Sequence, residues 1–244
     1  MDKQLLLTST RNVLMRLEET IIFGLIERAQ FASNQVIYQK GAFGSELSGE
    51  SLVGYLLHET EQIHARMRRY TSPDEHPFFT DLPAPILPAL VFSESPIQPN
   101  AVNINAEIRS VYEQQLVPLI CPPGDDGQYG SSSVSDVMLL QALSKRIHYG
   151  KFVAESKYRD REEVLKPLIQ AMDREALAKA ITDEAVEAQV LERVRLKAQT
   201  YGHQLGGGQN EFRVTPEVVQ RIYAEWIIPL NKQVQLEYLF QRSV

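Results

Sequence analysis

Apolar residues recur through most of this chain at three- and four-residue steps, the period of a helix that turns one face to a core. Leu14, Leu17, Ile21 and Leu25 form the first stripe. It follows hydroxyls at Thr8, Ser9 and Thr10 that suit an N-cap, and predicts a helix to about Phe31. Leu52, Leu56, Ile63 and Met67 form a second, from about Ser51 to Tyr70. From Thr71 to Asn100 seven of the thirteen prolines interrupt any regular period, so 71–100 reads as an ordered, irregular connector. Helical spacing resumes over Val102–Leu119, Leu139–Tyr158, Glu162–Met172, Asp173–Ile181 and Asp183–Tyr201. Ser133 and Asp136 stand at capping-box spacing ahead of the central stretch, GHQLGGGQNEFRVT reads as a flexible turn, and Thr215-Pro216 opens a last helix. The fold predicted is all-α: a bundle of long helices in a single domain over 1–244, made of two halves. VYEQQLVPLI at Val111 and IYAEWIIPLN at Ile222 share a Tyr-to-Pro-Leu pattern that hints at a duplication.

Composition narrows the function. With 244 residues, 43% hydrophobic and a net charge of −6, the chain is long enough for a sizeable core and poorly suited to nucleic acid or an anionic membrane. Cys121 is the only cysteine and the five histidines are scattered, which excludes an internal disulfide and gives no metal-ligand spacing. No apolar run reaches membrane-spanning length, and MDKQLLLTSTRN has neither a signal-peptide core nor transit-peptide character. The expectation is a cytosolic protein, or a plastid one if a leader was removed. A GxxxxGK loop is absent, so nucleotide phosphates are not the expected ligand.

The polar residues that break the apolar stripes are the candidate chemistry. Arg146 and Lys157 lie eleven residues apart, about three helical turns, and so share one face of the central helix. Arg11 precedes Leu14 by three residues and is expected to extend the inward stripe. Asp183 and Glu187 stand at i, i+4, and Asn231 and Gln235 occupy the inner face of the last helix where a plain core would have leucines. Together they predict a cationic, hydrogen-bonding pocket without nucleophile, Ser/His/Asp set or metal, which suits a reaction driven by posture and electrostatics. Arg68-Arg69 at the end of the second helix, and the loop CPPGDDGQYGSSS with its free amides before a helix, suit carboxylates.

SKRIHYGKFVAESKY, with RNVLMRLEETIIFGLIER near the start and IIPLNKQVQLEYL near the end, closely resembles the all-helical chorismate mutases of fungi and plants, essentially from Arg11 to Arg242. The resemblance implies rearrangement of chorismate to prephenate by a cofactor-free homodimer, in which one ancestral half keeps the catalytic site and the other serves regulation. By matching motif, Arg11 and Arg146 are expected to bind the substrate carboxylates, Lys157 a carboxylate and the ether oxygen, and Glu187 the ring hydroxyl. Asp183, Asn231 and Gln235 replace an asparagine, a threonine and a glutamate of the fungal pattern, and a carboxylate at Asp183 is expected to oppose a dianion. Arg68, Arg69, Gly130, Ser131 and Val134 match the effector site, Val134 in place of a threonine, and Thr215 matches a switch position. The resemblance implies activation by tryptophan and inhibition by tyrosine or phenylalanine. An inactive relative kept as an aromatic-amino-acid sensor, and a plain helical scaffold, are the alternatives.

Overall fold

The structure, a computed structural model, describes residues 3–47, 49–88, 96–205 and 212–242. Among these the regular structure is entirely helical. Helix α1 spans Lys3–Arg28 and α2 Leu52–Arg66. After the connector come α3 (Asn105–Val111) and α4 (Val117–Ile120), then α5 (Tyr129–His148) and α6 (Gly150–Asp160). Helices α7 (Glu162–Gln170), α8 (Arg174–Ile181), α9 (Glu184–Leu205), α10 (Pro216–Ile222) and α11 (Ile228–Gln241) complete the bundle. The turn expected over 202–215 falls partly on 206–211, outside the described residues.

The core is built where α1 and α5 lie side by side. Ile21, Ile22 and Leu25 on one helix, and Leu139, Leu140 and Leu143 on the other, are all at most 2% exposed. Gly24 sets the spacing: a Cβ there would meet Leu139 Cδ2 at 2.7 Å, well inside van der Waals contact. The connector carries no α-helix between Arg66 and Asn105 among the described residues, as its prolines require.

Three expectations are corrected. Helix α1 begins at Lys3, so Thr8–Thr10 lie inside it and Thr10 is buried in the bundle. Helix α5 begins at Tyr129, which places Ser133 and Asp136 inside it; both are buried, and Asp136 serves as a partner for Arg28 rather than in a capping box. The central helix is two helices, broken at Tyr149. At the break the Asn231 side-chain amide donates to the carbonyls of Ile147 at 2.9 Å and Arg146 at 3.4 Å, so α11 satisfies the junction. Gly150 allows this approach, since a Cβ there would lie 2.7 Å from the Asn231 carbonyl oxygen.

The sequence echo coincides with a shared backbone irregularity. Tyr112–Leu116 joins α3 to α4 as a π-turn, and Tyr223–Ile227 joins α10 to α11 in the same way. A proline, Pro118 or Pro229, follows each after one residue; it has no N–H to donate and its ring crowds the carbonyl four residues back, which a widened turn relieves. Both leading tyrosines are fully buried.

Candidate active site

Arg146 and Lys157 come together through α11 rather than through one continuous helix. Lys157 Nζ donates to Gln235 Oε1 at 2.9 Å and to the Ile181 carbonyl at 2.5 Å. An ammonium only donates, so Gln235 must turn its oxygen to Lys157 and its amide N–H to Asn231 Oδ1, at 2.9 Å. Asn231 in turn donates to the α5–α6 junction beside Arg146. The two amides that looked misplaced in an apolar helix face are thus buried and connected, Asn231 8% and Gln235 3% exposed. Burial lowers the Lys157 pKa to about 8, a shift that the nearby Glu187 and Asp183 charges partly oppose.

Arg146 is 5% exposed and its Nε has no hydrogen-bond partner. Burial depresses its pKa, yet a guanidinium starts so high that it stays cationic. Its setting has a counterpart in the other half of the bundle. Asp136 precedes Arg146 by ten residues on α5, as Glu18 precedes Arg28 on α1. Arg28 Nε binds Asp136 Oδ1 at 2.6 Å, and Asp136 also accepts from the hydroxyls of Tyr112 and Tyr38. The equivalent carboxylate, Glu18, is instead held in two contacts by Arg193, at 2.7 and 2.9 Å, and by Lys197 at 3.3 Å. Arg146 therefore has Tyr223 and Glu18 in its electrostatic neighbourhood but no carboxylate of its own, and the Tyr223 hydroxyl is likewise buried without a partner. One half has neutralised its arginine. The other keeps a buried guanidinium that can take an external carboxylate.

The remaining residues divide. Glu187 is half-buried and receives Lys232 Nζ at 2.9 Å. Asp183 is exposed and accepts the Val186 N–H at 3.1 Å, so its carboxylate caps α9, with its charge still felt at Lys157. Arg11 is exposed on α1, which corrects its inward placement: the apolar stripe fixes a face only to within a residue or so, and Arg11 falls on its wet side. Sequence reasoning missed Glu18, Arg193, Tyr223 and Lys232. Only the repeated ten-residue Glu-to-Arg and Asp-to-Arg spacing could have drawn attention to Glu18. No cluster of three or more His, Cys, Asp or Glu suited to a metal occurs among the described residues.

The residues matched to an effector site are split within one chain. Arg68, at φ 60° just past α2, donates to the Pro88 carbonyl at 2.5 Å. Arg69 binds Glu75 at 3.0 Å and Gln141 Oε1 at 3.0 Å, which sets it against the middle of α5. Gly130 and Ser131 are exposed at the start of α5, ten or more residues away, roughly 15 Å along the helix. Val134 is 52% exposed one turn further on. Thr215 is the N-cap of α10, accepting from the Val218 N–H at 3.3 Å.

The description of chorismate mutase type II matches residues 129–236, the stretch that carries Arg146, Lys157, Glu187 and Gln235. A relative from Petunia hybrida, "Chorismate mutase 1, chloroplastic", is 44% identical over 97% of this chain and 75% of its own length. The chain belongs to the chorismate mutase family. Its fold agrees with that of the solved chorismate mutase from Candida albicans in complex with L-Trp, at a TM-score of 0.92 and 37% identity, covering 100% of this chain and 96% of that one. A structure of AtCM1 with tyrosine bound in its allosteric site gives a TM-score of 0.88 at 44% identity, over 95% and 94%. The membership makes the enzyme an isomerase of the eukaryotic, all-helical kind.

Proposed function

We propose that chorismate rearranges to prephenate in the pocket between Arg146, Lys157, Glu187 and Gln235. The single observation that carries this is a buried Arg146 without a carboxylate among the described residues, its backbone carbonyl tied to the Lys157–Gln235–Asn231 chain. Arg146 takes one substrate carboxylate, and Arg11, exposed on α1, takes the other. Holding both folds the enolpyruvyl arm over the ring and removes entropy from the barrier. As the C–O bond breaks ahead of C–C formation, negative charge grows on the ether oxygen. Lys157 has two protons committed to Gln235 and Ile181 and a third for that oxygen. Gln235 likewise keeps a second amide proton. Donors aimed at charge that exists only in the transition state accelerate the reaction instead of merely tightening binding. Glu187 accepts from the ring hydroxyl, and Lys232 offsets its repulsion of a dianion.

The same reading makes the enzyme a homodimer under aromatic-amino-acid control. Exposed Ile63 on α2 and Met67 just past its end, with Val134 and Met138 on the neighbouring α5, form an apolar face that a second copy would cover. Pairing there supports an effector site shared between copies, Arg68 and Arg69 from one and Gly130 and Ser131 from the other, because one chain does not bring them together. The relatives solved with tryptophan or tyrosine bound support those amino acids as effectors. The paired halves and π-turns support the reading of one domain over 1–244 built by duplication, with Thr215 at the start of the final helix as the switch. A cytosolic site of action belongs to this reading, against a plastid one for the Petunia relative; a fluorescent fusion of the full-length protein decides between them. Loss of chorismate absorbance matched by prephenate formation, with sedimentation of the purified enzyme, tests the whole. A sedimentation mass of one chain removes the shared effector site, and an inert protein removes the catalytic reading.

A further inference from the structure

A second polar cavity lies under the connector, walled by Glu75, His76, Gln98, Pro99, Asn100 and Lys151, with no wall from α9 or α11. It encloses about 250 Å3. Lys151 is 3% exposed, and its ammonium donates to the Val102 carbonyl at 2.5 Å and to His76 Nε2 at 2.7 Å. Its third N–H has no acceptor among the described residues. Because an ammonium only donates, His76 Nε2 must accept, which places the ring proton on Nδ1. That Nδ1 is buried and has no partner. His148 stacks on His76 at 4.2 Å between centroids, donates from Nδ1 to the Ser144 carbonyl and accepts the Ile104 N–H at Nε2, so it offers nothing further.

The local charges leave one cation over. Glu75, the carboxylate in the cavity wall, is bound by Lys145 at 2.6 Å and Arg69 at 3.0 Å. Asp74 is bound by Lys145 at 2.8 Å. Both histidines are neutral, since burial drives His76 down to about 2 and His148 to about 4. Three cations therefore face two carboxylates, and the unmatched one is Lys151, which forms no ion pair among the described residues. A buried cation is ordinarily paired. Lys151 also keeps one donor, its third N–H, at the wall of this cavity.

We propose that the cavity binds a small monovalent anion, chloride or a formate-sized carboxylate, held by the Lys151 ammonium. The site is separate from the catalytic pocket and stands whether or not the proposed roles of Arg146 and Lys157 hold. The linewidth of the chloride NMR signal, titrated against the full-length enzyme with sodium chloride at fixed ionic strength and near-neutral pH, reads it directly. Wild type is expected to give a saturable excess broadening that sodium formate displaces. Lys151→Met is expected to weaken it by about tenfold or more, the loss typical of removing a buried charge from its partner. Lys151→Gln keeps a polar donor without the charge and is expected to weaken it as well. Broadening that fails to saturate in wild type overturns the proposal, as does wild-type affinity in a folded Lys151→Met or, should that variant not fold, in Lys151→Gln.

Discussion

Arg28 and Arg146 stand at matching places in the two halves of the bundle, yet only Arg28 has a carboxylate of its own, Asp136 at 2.6 Å. Both members of that pair are sealed from water. Cutting it leaves a buried charge alone, so Asp136→Ala is expected to cost about 3–5 kcal/mol in unfolding free energy. Urea denaturation measures it. Asp136→Asn, whose Oδ1 still accepts from Arg28 and Tyr112 while its amide N–H turns to the Tyr38 hydroxyl oxygen, is expected to cost less. Equal stability of wild type and Asp136→Ala would show that the pair is not structural.

The pH dependence follows from Lys157. Its protonated form is the active one, and its pKa in the unliganded enzyme is lowered to about 8 by burial. The ratio kcat/KM is expected to stay level from about pH 6 and to fall tenfold per unit above about 8, as the ammonium is lost. The same shift has a stability sign. The unfolded chain keeps the lysine proton to its ordinary pKa, so between about pH 8 and 10.5 it binds more protons than the folded one, and this group's contribution to stability improves as pH rises. A pH–rate profile level to pH 10 would contradict the assignment.

Gln235→Glu tests the amide. A carboxylate 2.9 Å from Lys157 Nζ holds the ammonium charged, and it donates to the ether oxygen only when protonated. The variant is expected to favour acid, with a neutral-pH rate below wild type and an alkaline limb moved above pH 8. A profile superimposable on wild type would leave the ether oxygen to Lys157 alone. Asp183→Asn is expected to leave the neutral-pH rate unchanged and to move the alkaline limb to lower pH, because it removes a charge that supports the Lys157 ammonium.

The helical class, the last helix with its Thr215-Pro216 start, and the burial of the Asn231 and Gln235 amides on an inner face were legible in the sequence, since each rests on periodicity or on a polar residue in an apolar stripe. The break at Tyr149 was not. It depends on Gly150 meeting Asn231 from a helix about eighty residues away, and local pattern carries no such contact. Arg11 was misread because a stripe fixes a face only to within a residue or so, and Asp183 because an i, i+4 spacing is identical whether its first member caps a helix or lies within it. Glu18 has no signal in the local sequence pattern, though it is fully buried against Arg193 and Lys197.

Regulation gives a fourth expectation. Arg68→Ala combined with Arg69→Ala is expected to leave unliganded turnover largely intact while removing the response to tryptophan, since these guanidiniums are proposed to hold the effector carboxylate. Because Arg69 also binds Glu75 and Gln141, Arg68→Ala alone is the cleaner control. An activation curve that matches wild type in both would place the effector elsewhere.

The account turns on Arg146 and Lys157, and kcat/KM for chorismate in Arg146→Ala and Lys157→Ala tests it most directly. Each variant is expected to remain folded by circular dichroism and to lose on the order of a hundredfold or more, as removal of a charge-assisted contact to a transition state does. Turnover near wild type in either folded variant would contradict the site.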